Sequence, residues 1–263
     1  MNSLNAMRVD TDPVGQAGRR VFVLGCPVDP VDEDGAVRLC LEWCAAGSKG
    51  HHVVTINAYA MMLMRERPSV HTAVADAALV VPDGISVIWG ARILGLPIRY
   101  RVTGVELTRR LMQEGKALRF YFLGSTQEVL DSFIPIVRAR YPEVVIAGSH
   151  NGFFSRGDEP AIVKEIRQSR ADILLVAFPN PLAEEWIYRN KEGLGASVIM
   201  GVGGTFDVMS GNLRRAPRLI QRIGFEWAWR ILLEPRKRWR IGLVYLPRYV
   251  LAVFGERLRS LGR

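Results

Sequence analysis

Apolar residues reach this chain in two rhythms. Short unbroken runs alternate with longer stretches where apolar positions recur every three or four residues. The first rhythm predicts buried strands and the second predicts helices with one face on a core. Arg20-Val-Phe-Val-Leu-Gly25 reads as the first strand. A helix bearing Val37, Leu41 and Cys44 follows, and Gly47-Ser-Lys-Gly50 ends it. His52–Asn57 is a second strand, then Ala58–Arg65 and Pro68–Ala77 are helical, with Pro68 at a helix start. Ala78-Leu-Val-Val-Pro-Asp-Gly84 reads as strand, turn and the start of a helix running to Gly95. Leu96–Thr103 is a loop carrying Arg99 and Arg101, and Gly104–Gly115 is helical.

The alternation continues. Leu118–Gly124, Val144–Gly148, Asp172–Phe178 and Ser197–Val202 read as strands. Ser125-Thr-Gln-Glu128 has the spacing of a capping box. Glu159–Arg170 and the segment bearing Trp186 read as helices, and His150-Asn-Gly-Phe-Phe154 as a loop. Strands and helices in turn predict an α/β fold, a mainly parallel sheet with helices on both faces.

From Asn212 the pattern changes. Helical stretches at about 216–233 and 235–254 mix Arg with Trp, Leu and Ile, and Pro247 cuts the apolar run that starts at Ile241. Residues 212–263 hold 13 Lys+Arg against 3 Asp+Glu, while the preceding residues hold 22 against 23. A near-neutral body thus carries a basic tail. We divide the chain into a flexible leader (1–19), an α/β body (20–211) and a basic amphipathic helical appendage (212–263). Trp227, Trp229 and Trp239 among arginines suit a helix lying on an anionic membrane surface. The apolar run is shorter than the ~20 residues of a spanning helix. The alternative is a helical pair docked on the body with a solvated basic face; surface binding is favoured because charge and aromatic residues coincide. Nucleic-acid binding is disfavoured, because no nucleic-acid module is visible.

The leader lacks an apolar signal segment, and Cys26, Cys40 and Cys44 form no metal-ligand spacing. Both fit a reduced, cytoplasmic chain without a metal site. Polar or glycine-rich sequence follows several strands: Thr55 and Asn57, Asp83 and Gly84, the turn at 179–181, and Gly203-Gly-Thr-Phe-Asp207. Strand tips of this kind can converge on one cleft. Glycines after a strand let backbone N–H groups approach a phosphate, although tight turns alone also need them. Asp83 taken alone reads as a helix cap. Asp207 serves a cap or a site equally well.

Together, Thr55-x-Asn57, Val81-Pro-Asp-Gly84, Arg101-Val-Thr-Gly-Val105, His150–Phe154, Gly201–Asp207 and Arg215-Ala-Pro217 follow the order and spacing of the WecG/TagA/CpsF glycosyltransferases. Gly224-x-Glu-Trp227 and Arg230…Glu234-Pro-Arg236 extend the resemblance, which covers about residues 20–240. It implies a GT-E-like fold and inverting, metal-independent transfer from a UDP-sugar to a polyprenyl-diphosphate-linked sugar, on the inner membrane face. UDP-sugar is then a substrate, with no cofactor. The family's base falls on Asp83, and its other site residues on Thr55, Asn57 and Arg101. Gly84 adjoins the base, and Gly203, Gly204 and Asp207 match the nucleotide contacts. Arg215, Arg222 and Arg230 are candidates to face the diphosphate from an appendage that closes over the site. One position departs: the family reads Pro-Lys-Gln-Glu where this chain has Pro181-Leu-Ala-Glu184. A methyl offers none of an amide's hydrogen bonds, so the donor becomes N-acetylmannosamine or another hexose such as glucose. The competing class is a non-catalytic membrane-peripheral scaffold with a decayed site. A homo-oligomer is compatible with the sequence.

Overall fold

The computed structural model describes residues 19–213, 216–217, 220, 226–233 and 235–262. The apolar runs build six parallel strands: β3 (His51–Ile56), β4 (Leu79–Pro82), β5 (Arg119–Gly124), β6 (Val145–His150), β7 (Ile173–Ala177) and β8 (Val198–Gly201). Their order across the sheet is β4-β3-β8-β7-β5-β6. The final strand thus inserts in the middle.

The predicted first strand is instead a separate antiparallel hairpin, β1 (Val21–Val23) and β2 (Cys26–Val28). Leu24 and Gly25 both take positive φ, 53° and 79°, which folds the run back on itself as two-residue hairpin turns require. The hairpin docks beside β4: Asp29 N–H donates to Val80 O at 2.9 Å, and Val80 N–H to Asp29 Oδ2 at 2.7 Å.

Successive strand residues point to opposite faces, so Val53 and Val54 enter different cores. On one face α1 (Glu33–Ala45), α5 (Gly104–Glu114), α6 (Gln127–Arg140) and α9 (Thr205–Met209) cover Val53, Val81, Phe122 and Met200. On the other, α2 (Ala58–Glu66), α3 (Pro68–Ala75) and α4 (Ile85–Leu94) cover Val54, Ile56 and Val80. There α7 (Glu159–Ser169) and α8 (Leu182–Leu194) cover Leu123, Val176 and Ile199. The capping box proves to be shifted by one residue. Thr126, not Ser125, caps α6 by accepting from Val129 N–H at 3.3 Å. Ser125 cannot cap, because its φ of 58° turns it out of register.

The tail forms α10 (Glu226–Leu233), α11 (Pro235–Arg240), a π-helical turn (Ile241–Tyr245) and α12 (Leu246–Leu261). Pro247 does not end a helix here; it lies in the first turn of α12, where its missing N–H has no partner to lose. α12 packs on α4 and α2, burying Tyr249 and Val253 in the core beneath.

Candidate active site

Ligands of open parallel sheets bind outside the carboxyl ends of the strands. The strand order makes β4, β3, β8 and β7 neighbours, so the tips singled out from sequence lie side by side. Registers put them at one level, with Thr55 opposite Val81, Ile56 opposite Pro82, and Val53 opposite Met200.

Asp83 N–H donates to Ile56 O at 2.9 Å, carrying the ladder one step past β4 and setting Asp83 across from Asn57. The N-cap position of α4 falls on Gly84 rather than on Asp83. Asp83 is half-buried at the rim rather than enclosed. Gly84 packs on Asn57, whose Cβ would lie 3.2 Å from any Cβ added to the glycine. Asn57 is itself the cap of α2, its Oδ1 accepting from Ala60 N–H at 3.0 Å. That leaves its amide N–H₂ as the group for a ligand. Thr55 Oγ1 donates to Gly201 O at 3.4 Å, joining β3 to the β8 tip. Arg101 lies beside Asp83, because the next residue, Val102, donates its N–H to Pro82 O at 2.9 Å.

Beyond β8 the chain turns through Gly203, with φ of 51°, and Gly204. A Cβ on either would meet nothing within 4 Å, so the turn backs onto open space. Its far side is anchored. Thr205 Oγ1 donates to Val202 O at 2.7 Å. Phe206 is wholly buried, stacked on Phe133 at 4.6 Å and edge-on to Phe122 at 5.8 Å. Asp207 does not cap α9 but sits inside it, accepting from Ser125 Oγ at 3.2 Å.

Ser125 was missed from sequence because its role depends on a positive φ at the end of β5. Glu184 was also missed. Its carboxyl is buried beside Gly201, Oε2 has no hydrogen-bond partner among the described residues, and burial pushes its pKa up to about 7. Ala183 is fully buried against Gly201, so this position forms a wall rather than a free contact. Arg215 and Arg222, and the side chain of Arg230, lie outside the described residues.

Two grooves, of about 460 and 520 Å³, lie on the flanks between α1 and α5 and between α7 and α8. Neither includes a strand-tip residue. Among the described residues no three His, Cys, Asp or Glu side chains gather as metal ligands would.

Comparison with known proteins gives this rim a context. The family model described as glycosyl transferase WecG/TagA/CpsF family matches residues 21–263. An N-acetylglucosaminyldiphosphoundecaprenol N-acetyl-β-D-mannosaminyltransferase of Bacillus spizizenii is 32% identical over 215 residues, 81% of this chain and 82% of the relative. Proteins of the same name from Bacillus subtilis and Staphylococcus aureus are 29% and 28% identical, over 69% and 70% of this chain and 70% and 73% of theirs. With nearly the whole body and tail matched, the chain belongs to the WecG/TagA/CpsF family and is a glycosyltransferase of polyprenyl-linked cell-surface polysaccharide synthesis.

Proposed function

We propose that the enzyme moves a sugar from a UDP-sugar to a polyprenyl-diphosphate-linked sugar, inverting the anomeric centre, with Asp83 as general base. The observation that carries this reading is the adjacency of the β4, β3 and β8 tips. It sets a carboxylate on one side and an open glycine turn on the other. Two inter-strand spacings separate them, about 10 Å. That gap holds one sugar ring between a base and a departing diphosphate.

Inversion needs a base that takes the acceptor hydroxyl proton as its oxygen attacks the anomeric carbon. On this reading Asp83, at the tip of β4, is that base. The leaving diphosphate needs positive charge or aligned dipoles. N–H groups of the Gly203–Gly204 turn and the Arg101 guanidinium supply them, so transfer should survive chelation of divalent ions. Thr55 and Asn57, between the two, orient the sugar.

The acceptor is anchored in lipid, and α12 offers a face to it. Leu251, Phe254, Leu258 and Leu261 recur at helical spacing and are 72, 51, 70 and 67% exposed. With Arg259 also exposed, this suits an interfacial helix on the inner face of the cell membrane. No helix among the described residues is long and apolar enough to cross a membrane.

The test is a screen of UDP-sugars, UDP-N-acetylmannosamine and UDP-glucose among them, against a synthetic lipid-diphosphate monosaccharide, reading released UDP. Acceptor-dependent release with one donor supports the reading. Binding of UDP without release from any donor overturns it in favour of a scaffold.

A further inference from the structure

The helix that follows Asp83 has an unusual neighbour. Gly90 lies inside α4, where glycine weakens a helix relative to alanine. Its missing Cβ is occupied space: an added Cβ would stand 2.1 Å from Tyr249 Oη, 3.1 Å from Tyr249 Cζ and 3.3 Å from Val253 Cγ2. The Tyr249 hydroxyl therefore fills the space that a side chain at position 90 would take. Through that gap the Tyr249 ring, 2% exposed, reaches the start of α4, and its hydroxyl donates to Ser86 O at 3.0 Å.

Ser86 is in the first turn of α4, three residues from Asp83. That turn has no side-chain cap of its own, because the N-cap is Gly84. It rests on Asn57 beneath, and Ser86 Oγ lies 3.1 Å from where a Gly84 Cβ would be. A turn without a local cap takes its position from tertiary contacts, and the Tyr249 hydroxyl is one of them, delivered from the far end of the chain.

We propose that Tyr249 is a positioning residue for the transfer reaction: from α12 it holds the first turn of α4, and with it the Asp83–Gly84 tip, in the geometry that proton removal needs. The inference rests on the reading of Asp83 as general base. The α12 segment is fixed to the body by Tyr249 and Val253. A helix that presents Leu251, Phe254 and Leu258 outward and Tyr249 inward also ties the lipid-facing surface to the base by one rigid element.

The full chain and three variants, Tyr249→Phe, Gly90→Ala and the double variant, decide the matter. Melting temperature, UDP affinity, and kcat and KM with the lipid-linked acceptor are measured for each. Tyr249→Phe keeps the ring and removes one hydrogen bond; kcat should fall about fivefold to tenfold, with UDP affinity and KM within about twofold. Gly90→Ala forces the hydroxyl out and should lower kcat further. Adding Tyr249→Phe to Gly90→Ala removes the 2.1 Å clash and should return kcat towards the Tyr249→Phe value. Wild-type kcat in Tyr249→Phe, with only the melting temperature lowered, would make the tyrosine a structural anchor and overturn the inference alone. Failure of the double variant to recover from Gly90→Ala would likewise overturn it. A wild-type chain that transfers nothing overturns the activity reading, and this inference with it.

Discussion

Replacing Asp29 by alanine should cost about 3–5 kcal/mol, because it strips a buried carboxylate out of a hydrogen-bonded ion pair. The carboxylate is 1% exposed. Oδ1 accepts from Arg20 Nε at 2.7 Å, and Oδ2 accepts from Arg20 Nη2 at 2.8 Å and from Val80 N–H at 2.7 Å. The same Nη2 donates to Ala77 O and Ala78 O at 3.1 and 3.2 Å, so the pair stitches the hairpin to the start of β4. Alanine leaves the buried Val80 N–H without its acceptor, a loss of about 1–3 kcal/mol. It also leaves a guanidinium, 29% exposed, without its bidentate carboxylate, which adds about as much again. Urea unfolding followed by tryptophan fluorescence measures the sum. With an m value of about 3 kcal/mol per M, the midpoint should drop by about 1–1.7 M. Asp29→Asn keeps one acceptor for Val80 and should lose less. A cycle with Arg20→Met should show a coupling of at least about 1 kcal/mol between the two sites. A loss below about 1 kcal/mol in Asp29→Ala would refute the reasoning. It would mean that desolvating the charge already cancels its hydrogen bonds in the native state.

Further outcomes follow from other residues. Asp83→Asn should keep the fold and UDP binding while lowering kcat by about 10²–10⁴-fold, and wild-type turnover would remove Asp83 from the mechanism. Burial, reinforced by Lys191 and opposed by Asp76, lowers the pKa of His52 to about 3, and neither ring nitrogen has a hydrogen-bond partner among the described residues. The ring stays neutral in the fold but takes a proton in the unfolded chain below its ordinary value of 6.5. Its contribution is therefore complete above pH 6.5 and is lost as pH falls towards 3, by about 1.4 kcal/mol per pH unit. The raised pKa of Glu184 acts oppositely between pH 4.5 and about 7. The readout is thus the difference in slope between wild type and His52→Leu across pH 6 to 4, and equal slopes would disprove it. Serine at Leu251, Phe254 and Leu258 together should abolish flotation with anionic vesicles while leaving UDP affinity unchanged, and continued flotation would place the membrane contact elsewhere. Ser125→Ala removes the hydroxyl that Asp207 accepts from at 3.2 Å. It should weaken UDP binding about threefold to tenfold by isothermal titration, in keeping with the ~0.5–1.5 kcal/mol net worth of one hydrogen bond; unaltered binding would separate Asp207 from the nucleotide.

Sequence alone was enough to read the alternation of strands and helices, the parallel sheet and the residues at the strand tips. Those features follow from local periodicity and from which side chains can end a strand. Thr55, Asn57, Asp83 and the glycine turn were legible because each directly follows an apolar run. Errors arose where a backbone dihedral or a distant contact decided the outcome. Leu24–Gly25 folded an apparent sheet strand into a hairpin, and Ser125 at positive φ moved the cap of α6 onto Thr126. The N-cap position of α4 fell on Gly84 rather than Asp83, since ladder pairing with Ile56 placed the helix start one residue later. Nothing in the pattern around Gly90 or Tyr249 announces their partnership, because the two sit on helices that meet only once the chain is folded. Local sequence determined which segments form and what chemistry their ends carry. Only the tertiary structure, by inserting β8 between β3 and β7 and laying α12 across α4, decided which ends face one another, because strand order and helix docking come from burying whole faces rather than from any one segment.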